Sequence, residues 1–105
     1  MNSSDYAWRI DQDHLASGGE SAEVGQAGPR NADVDDTGMP RGYQHQATFQ
    51  LFDDDDILYN TGTLFWNGTA HPQEHQAYGP LGDYGMPALG AVSVRYPGHQ
   101  SWDCG

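Results

Sequence analysis

The densest charge in this sequence is a run of four consecutive aspartates: Asp53, Asp54, Asp55 and Asp56. Carboxylate oxygens can coordinate a divalent cation, and they can also pair with a basic protein surface. A calcium loop of the EF-hand type needs glycine at its sixth position and glutamate at its twelfth, but counting from Asp53 places Leu58 and Leu64 there. The calcium motif therefore fails. Three interpretations of the run stay open: loose divalent-cation binding, a solvated turn that blunts a sheet edge, or a partner-binding patch.

Histidines are the second group of residues that could do chemistry. His71 and His75 have the four-residue separation that places two imidazoles on one face of a helix. Pro72 is compatible only with the start of a helix, and no apolar helical pattern follows it. Glu74 directly precedes the second histidine, so the metalloprotease pattern HExxH is absent. We therefore expect solvent-facing loop histidines; the alternative is a divalent-metal site, with hydrolytic activity as an option, that combines the aspartate run with His14 or with His71 and His75.

Signals for other catalytic chemistry are weak. Cys104 is the penultimate residue, where chains fray and a pocket for a nucleophile is difficult to build. No serine lies in a GxSxG pattern, and the glycine-rich stretches lack the lysine of a phosphate-binding loop. We therefore expect no enzymatic activity and no cofactor.

The overall charge narrows the class of partner. The 105 residues carry 15 acidic and 4 basic side chains, none of them lysine, for a formal net charge of -11. Direct binding to a nucleic-acid backbone is not expected, because that affinity comes from lysine and arginine. A small sheet with rows of carboxylates can instead imitate the charge density of a duplex. The composition therefore predicts binding to a basic, nucleic-acid-handling protein; the alternative is an acidic composition that serves only solubility.

The cellular setting is predicted from what the sequence lacks. No apolar stretch approaches the roughly 18 residues of a membrane helix, and the first residues show neither the basic nor the apolar region of a secretory signal. Cys104 is the only cysteine, which suits a reducing compartment. We therefore expect a cytoplasmic protein with no membrane partner.

Four segments predict strands: residues 6–15, 48–52, 57–66 and 91–96. The middle two flank the aspartate run and predict an antiparallel hairpin, because aspartate favours turns and four residues is a common hairpin loop length. Gly62 interrupts the second hairpin strand, where it indicates a bulge or the close approach of another backbone. A short additional edge around Trp102 is an option.

The segments between the strands are polar. Residues 16–42 contain hardly any large apolar side chain and predict a long loop, either functional or flexible, with one short helical turn near residues 21–25. Residues 67–87 carry glycine and proline signals typical of turns. Five loop residues are expected to cover the apolar face of the sheet: Leu15, Leu81, Tyr84, Met86 and Leu89.

These elements predict one small domain over residues 1–105, because a chain of this length buries too little surface for two domains. Helical periodicity is almost absent from the sequence. The predicted fold class is α+β, mainly β: a small antiparallel sheet of four or five strands with long loops and at most short helices.

Several short motifs follow one another along the chain: Trp8-Arg9-Ile10, Asp13-His14-Leu15, Phe49-x-Leu51-Phe52-Asp53-Asp54-Asp55 with Tyr59 and Gly62, Pro80-Leu81-x-Asp83-Tyr84-Gly85-x-Pro87, and Val94-x-Tyr96 with Trp102. In these motifs the chain resembles small acidic proteins encoded by actinobacteria and their phages. The resemblance implies mobile elements and a cytoplasmic setting, and it supplies no catalytic residue. Such proteins have glycine after the third aspartate of the turn, where this chain has Asp56, which argues against a tight glycine-type turn.

The leading hypothesis is a non-enzymatic protein, encoded by a phage or mobile element, that inhibits or modulates a basic host protein by mimicking nucleic acid. In this hypothesis the four aspartates steer and position the partner, while Tyr59 and Trp66, taken as exposed aromatic residues near the hairpin, anchor the interface. A structural or virion-associated role is a third interpretation.

Overall fold

A computed structural model describes residues 5–14 and 24–105 of the chain. Its main element is a five-stranded antiparallel sheet with the strand order β2-β1-β4-β3-β5. The strands are β1 (Tyr6–Asp13), β2 (Ala27–Gly28), β3 (His45–Phe52), β4 (Leu58–Trp66) and β5 (Ser93–Arg95). The helical elements are α1 (Glu74–Pro80), a π-helical segment (Leu81–Leu89) and a 3-10 turn (Gln100–Trp102). The predicted class, α+β with mainly β structure, is confirmed.

The β3–β4 hairpin forms the centre of the sheet, because each of its strands also pairs with a strand outside the hairpin. The pairing runs from His45 opposite Trp66 to Phe52 opposite Leu58. The predicted hairpin is confirmed, but β3 begins at His45 rather than at Thr48. The polar residues before the apolar run join the strand because β4 is long enough to offer them partners.

Alternation along the strands gives the sheet one buried face. In β4 every second residue from Asn60 to Trp66 is buried, and the residues between them are partly exposed. Burial of apolar area on this face is the main stabilising force of the fold. The core comprises Trp8, Ile10, Phe49, Leu51, Leu64, Trp66, Ala77, Leu81, Tyr84, Ala91, Val94 and Tyr96.

Gly62 lies where β1, β3 and β4 come closest to one another. A Cβ atom at this position would collide with the carbonyl oxygen of Arg9 and with the ring of Phe49. The register of β1 shifts immediately after Ile10, the residue opposite Gly62, which makes Asp11 the extra residue of a β-bulge. Both features that the sequence indicated here are present: the close approach is at Gly62 itself, and the bulge is in the strand it pairs with.

The prediction of turns over residues 67–87 is wrong from residue 74 onward, because α1 and the π-helical segment form one helical stretch over residues 74–89. Gly79 allows close packing instead of a turn, since a Cβ atom there would collide with the ring of Tyr6. The stretch ends at Gly90, which has a φ of 74°, in the left-handed region typical of a helix C-terminus. Within the described residues, no helix is long and apolar enough to cross a membrane.

The helical stretch supplies the cover that the sheet needs. Leu81 and Tyr84 are buried, and Leu89 packs against the core while partly exposed, as expected. Met86 is 47% exposed, so its expected place in the cover is wrong. The helical geometry turns Met86 away from the face that carries Leu81 and Tyr84. Leu15 lies outside the described residues.

Part of the predicted loop over residues 16–42 is regular structure. Strand β2 lies within it and pairs with β1, with Gly28 opposite Trp8, and Val34 forms an isolated bridge with Pro40. The sequence missed β2 because an Ala-Gly pair carries no strand pattern. The expected helical turn near residues 21–25 falls mostly outside the described residues.

Strand β5 is shorter than the segment predicted over residues 91–96. Val94 is buried, whereas Val92, expected on the same face, is 43% exposed. The predicted edge around Trp102 is a 3-10 turn, and the edge contact is made two residues later, where Cys104 forms a bridge with Val94.

Replacing Gly62 with alanine is expected to lower the free energy of unfolding by about 3 kcal/mol, because neither a backbone carbonyl nor a core ring can move aside cheaply. Urea denaturation followed by tryptophan fluorescence measures this loss. The matched control is Gly98→Ala: Gly98 has open space around it and a φ of 84°, so the control carries only left-handed backbone strain of about 1 kcal/mol. Equal losses for both variants would contradict the close approach at Gly62.

Candidate functional site

The hairpin tip, residues 53–57, connects β3 to β4 and is closed by hydrogen bonds to its own first aspartate. The backbone N–H groups of Asp55 and Ile57 both donate to Asp53 Oδ1 at 2.8 Å. The N–H of Asp56 donates to the Asp53 carbonyl oxygen at 3.2 Å. Bonding to the backbone two or more residues further on is how aspartate favours a turn. The first role of Asp53 is therefore to hold the tip in shape.

Asp56 is also engaged within the molecule. Its φ is 60°, and it is the only non-glycine residue of the described ranges with a positive φ. Its carboxylate forms an ion pair with Arg95 of β5. The tight turn that Asp56 was expected to disfavour is therefore present, because aspartate tolerates the left-handed region better than most residues do.

Asp54 and Asp55 carry the free carboxylates of the hairpin tip. Both residues are exposed, and neither carboxylate has a hydrogen bond or ion pair with any described residue. Because Asp53 fixes the backbone around them, the two carboxylates project from a preorganised turn. A group presented in this way loses little conformational entropy when it binds.

The two aromatic residues expected to anchor a partner differ in how far their side chains are exposed. Tyr59 is partly exposed, and its hydroxyl lies 3.4 Å from Asp53 Oδ2. Trp66 is 2% exposed and donates its Nε1–H to the carbonyl oxygen of Thr69 at 2.9 Å. The expectation that Trp66 is exposed is wrong, because alternation in β4 places it on the buried face with Leu64.

Exposed aliphatic side chains lie at the hairpin tip and beside it instead. Ile57 is 50% exposed and Val92 is 43% exposed. The carbonyl oxygen of Ile57 accepts the N–H of Asp53 at 3.1 Å, and the N–H of Val92 donates to the carbonyl oxygen of Phe52 at 2.8 Å. The two aliphatic residues therefore lie on either side of the end of β3. Apolar side chains beside free charges have the composition of a protein interface, in which an apolar centre is surrounded by a polar rim.

Of the ligands predicted for a divalent-metal site, the aspartates lie close together but the histidines do not join them. Carboxylate oxygens of Asp53, Asp54 and Asp55 lie within 4.8 Å of one another, and this is the only group of three or more potential ligands in the described parts of the chain. Each histidine proposed as an additional ligand has another neighbour: His14 lies beside Thr61, His71 beside Trp102 and His75 beside Asp5. The expected combination of the aspartate run with histidines is therefore not formed.

Most of the basic charge is neutralised within the chain. Three ion pairs account for it: Arg9 with Asp11, Arg41 with Asp35, and Arg95 with Asp56. Hydrogen bonds from the Thr37 hydroxyl, the Met39 backbone and Arg41 hold the pKa of Asp35 well below its usual range. Since the chain has 15 acidic and 4 basic side chains, these pairs leave a large excess of uncompensated carboxylates.

A groove begins near the end of β4 that is remote from the hairpin tip and extends to Gly105, which packs against the backbone of Val92. The start of α1 and residues 101–105 form its walls, and its volume is about 950 Å³. We call it the α1 groove. The side chains that give it chemical character are His71, Glu74, Tyr78, Trp102, Asp103 and Cys104.

Trp102 is a fixed wall of the α1 groove. Its Nε1–H donates to His71 Nδ1 at 2.8 Å, and its ring stacks on His99 with centroids 3.8 Å apart. It also makes edge contacts with Trp66 and Tyr96, at centroid distances of 5.7 and 5.8 Å. Because His71 Nδ1 accepts a hydrogen bond, that nitrogen carries no proton in this arrangement.

Two carboxylates belong to the α1 groove. Asp103 Oδ1 accepts the backbone N–H of Tyr96 at 2.7 Å, which fixes its orientation. Glu74 is exposed in the first turn of α1 and has no hydrogen bond or ion pair with any described side chain. Burial, followed by the charges of Glu74 and Asp103, raises the pKa of the Cys104 thiol. Both carboxylates therefore act on one region of the groove, and a thiol with a raised pKa is a poor nucleophile at neutral pH.

Sequence reasoning missed the α1 groove because its walls are far apart along the chain and neither carries a motif. One local signal was available for the helix. Gln76 lies three residues after Gln73, and its Oε1 accepts the Gln73 backbone N–H at 2.8 Å, as in a capping box. With Pro72 before it, this spacing is typical of a helix start.

Asp53→Ala is expected to lower the free energy of unfolding by about 1 to 2 kcal/mol, because it removes the acceptor of two backbone N–H groups. Asp53→Asn retains an oxygen acceptor and should recover most of this loss. Asp54→Ala is the matched control, with an expected change within about 0.5 kcal/mol. Urea denaturation measures all three, and an Asp53→Ala loss no larger than that of the control would refute the structural role of Asp53.

Tyr96 links the two walls of the α1 groove and makes stability depend on alkaline pH. Its hydroxyl donates to the carbonyl oxygen of Ala77 at 2.6 Å, and burial, followed by the charges of Cys104 and Asp103, raises its pKa. The unfolded chain therefore loses the tyrosine proton first, so stability should fall as pH rises above about 10. Urea denaturation between about pH 9 and pH 11 should show a shallower fall for Tyr96→Phe than for the wild type. Identical slopes would contradict this linkage.

Comparison with known proteins does not assign this chain to a family. No protein-family model, no curated protein and no solved structure matches this chain. The function is therefore argued from the hairpin tip, the surface charge and the α1 groove themselves.

Proposed function

We propose that this protein is a non-enzymatic binding protein that docks its hairpin tip on a basic protein surface. The observation that carries the proposal is the pair of free carboxylates of Asp54 and Asp55 on a turn held by Asp53. The carboxylates would steer and orient the partner, because complementary charge raises the association rate and fixes register. Exposed Ile57 and Val92 would supply the apolar contact first assigned to aromatic residues.

The charge of the whole molecule supports a basic partner. The formal net charge of the small chain is -11, and three of its four arginines already form ion pairs with aspartates of the same chain. A field of this sign attracts cationic surfaces over a distance of about 10 Å at moderate salt and repels acidic ones. The partner we propose is a basic, nucleic-acid-handling host protein. Its cleft binds the negative charge of nucleic acid, and this protein would inhibit or modulate the partner by mimicking that charge. A phage or mobile-element origin and a cytoplasmic setting belong to this proposal.

A divalent cation at the hairpin tip is a second candidate, favoured by the 4.8 Å clustering of three carboxylates. Asp53 weakens it, because its Oδ1 already accepts two backbone N–H groups, and calcium requires about 6 to 8 oxygen ligands. Calcium titration followed by melting temperature separates the candidates. A rise at micromolar calcium that Asp54→Asn/Asp55→Asn abolishes would favour the cation, and no rise would disfavour it.

The test of the leading proposal compares three immobilised proteins: the wild type, Asp54→Asn/Asp55→Asn, and Asp33→Asn/Asp36→Asn. The last variant removes the same two charges from exposed positions outside the hairpin tip. A basic protein from a bacterial lysate should bind the wild type and the control, and a salt gradient should release it. With that protein purified, the tip variant should bind at least ten-fold more weakly and with a flatter salt dependence.

Two results would count against the proposal. Equal affinity of the wild type and the tip variant at every salt concentration would exclude the hairpin tip as the interface. Equal weakening by both double variants would show that only net charge matters. Competition by duplex DNA for the same partner tests the mimicry: a partner that binds DNA and this protein simultaneously would exclude it.

A further inference from the structure

We infer that the α1 groove binds an arginine side chain presented by a protein partner. The inference extends the proposed function, since the choice of a protein as the source of the cation rests on it. The carboxylates of the groove, Glu74 and Asp103, are different residues from Asp54 and Asp55 of the hairpin tip, so the two sites can be tested separately.

Charge is the first argument for a cationic occupant. Glu74 on α1 and Asp103 on the C-terminal wall both line the groove, and no arginine is among its lining residues. His71 Nδ1 accepts a hydrogen bond from Trp102, and His75 faces Asp5 at 2.9 Å, so neither histidine supplies an uncompensated positive charge. The groove is therefore complementary to a cation.

The shape and lining favour a long cationic side chain over a small ion. The groove is about 950 Å³ in volume and open, and the only metal-ligand group in the described ranges is at the hairpin tip. Tyr78, which is 40% exposed, and partly exposed Trp102 offer apolar surface along its walls. The aliphatic stem of a long cationic side chain can cover such a surface while its charged end meets the carboxylates.

Arginine fits this lining better than lysine. Its planar guanidinium has five N–H donors and can serve two carboxylates from different directions, whereas an ammonium is a compact and strongly hydrated charge. The groove is also preorganised: Trp102 is held by His71 and His99, and Asp103 is held by the backbone of Tyr96. Binding therefore requires little rearrangement of the walls.

The experiment is a titration of the full chain with N-acetyl-arginine N-methylamide, followed by ¹H–¹⁵N NMR. Saturable shifts are expected for the Trp102 indole N–H and for the backbone amides of Glu74 and Tyr78. The lysine analogue should bind at least three-fold more weakly, and the neutral citrulline analogue should produce no saturable shift.

Variants separate the groove from general charge. Glu74→Gln/Asp103→Asn should weaken binding of the arginine probe at least ten-fold, and its asparagine can still accept the Tyr96 N–H. Should this variant not fold, Glu74→Gln alone changes only an exposed side chain and should weaken binding measurably. The control Asp33→Asn/Asp36→Asn should bind within two-fold of the wild type.

The results also distinguish this inference from the proposed function. Binding of the citrulline probe, equal binding of lysine, or equal weakening by the control variant would overturn the arginine groove. Asp54→Asn/Asp55→Asn should retain the arginine probe even where it loses the protein partner. Partner capture that depends on the hairpin tip, with no binding of the probe, would refute the groove alone.

Discussion

The packing of Trp102 against Trp66 and Tyr96 is the interaction on which the rest of the structure depends. Trp66 belongs to the central strand, the Tyr96 hydroxyl donates to Ala77 of α1, and the Trp102 indole donates to His71. One aromatic cluster thus fixes the helix and the C-terminal segment on the sheet. Large aromatic residues bury much area each, which matters in a chain with only 36% hydrophobic residues. The same cluster sets the walls of the α1 groove.

The aspartates divide into residues that build the fold and residues that remain free. Within the described residues, those that accept backbone or side-chain donors include Asp5, Asp11, Asp35, Asp53, Asp56, Asp83 and Asp103. Asp83 is representative: it accepts the Tyr6 hydroxyl at 2.6 Å and the Trp8 indole at 3.2 Å, which ties the π-helical segment to β1. Hydrogen bonds to a charged carboxylate are stronger than those between neutral groups, so they help to stabilise a fold in which apolar residues are few. The remaining carboxylates repel one another, and a basic partner would relieve that repulsion.

The sequence predicted the features whose signals are local. The hairpin was recognisable because alternating apolar residues and an aspartate turn lie next to each other in the chain. The helical stretch was not, because Gly79 looks like a turn residue until the Tyr6 ring is seen packed against it. The same holds for the hairpin tip. The aspartate run is visible in the sequence, but only the structure shows that Asp53 holds the turn and that the Asp54 carboxylate is free. The burial of Trp66, by contrast, follows from a local pattern, because Trp66 alternates along β4 on the same face as Leu64.

The two candidate sites are placed so that one partner could engage both. His71 of the α1 groove lies beyond the end of β4 that is remote from the hairpin tip, whereas Gly105, at the other end of the groove, packs against the backbone of Val92 beside the tip. The groove therefore extends along the molecule toward the hairpin tip, and one partner surface can cover both sites. A single arginine or a single acidic turn binds weakly. The two sites are held at a fixed separation, however, so once one contact has formed the second becomes intramolecular. Its high effective concentration then raises the affinity, but only for a partner with cationic groups at the matching distance. Specificity would then come from the spacing of the sites, because neither contact by itself distinguishes one basic protein from another.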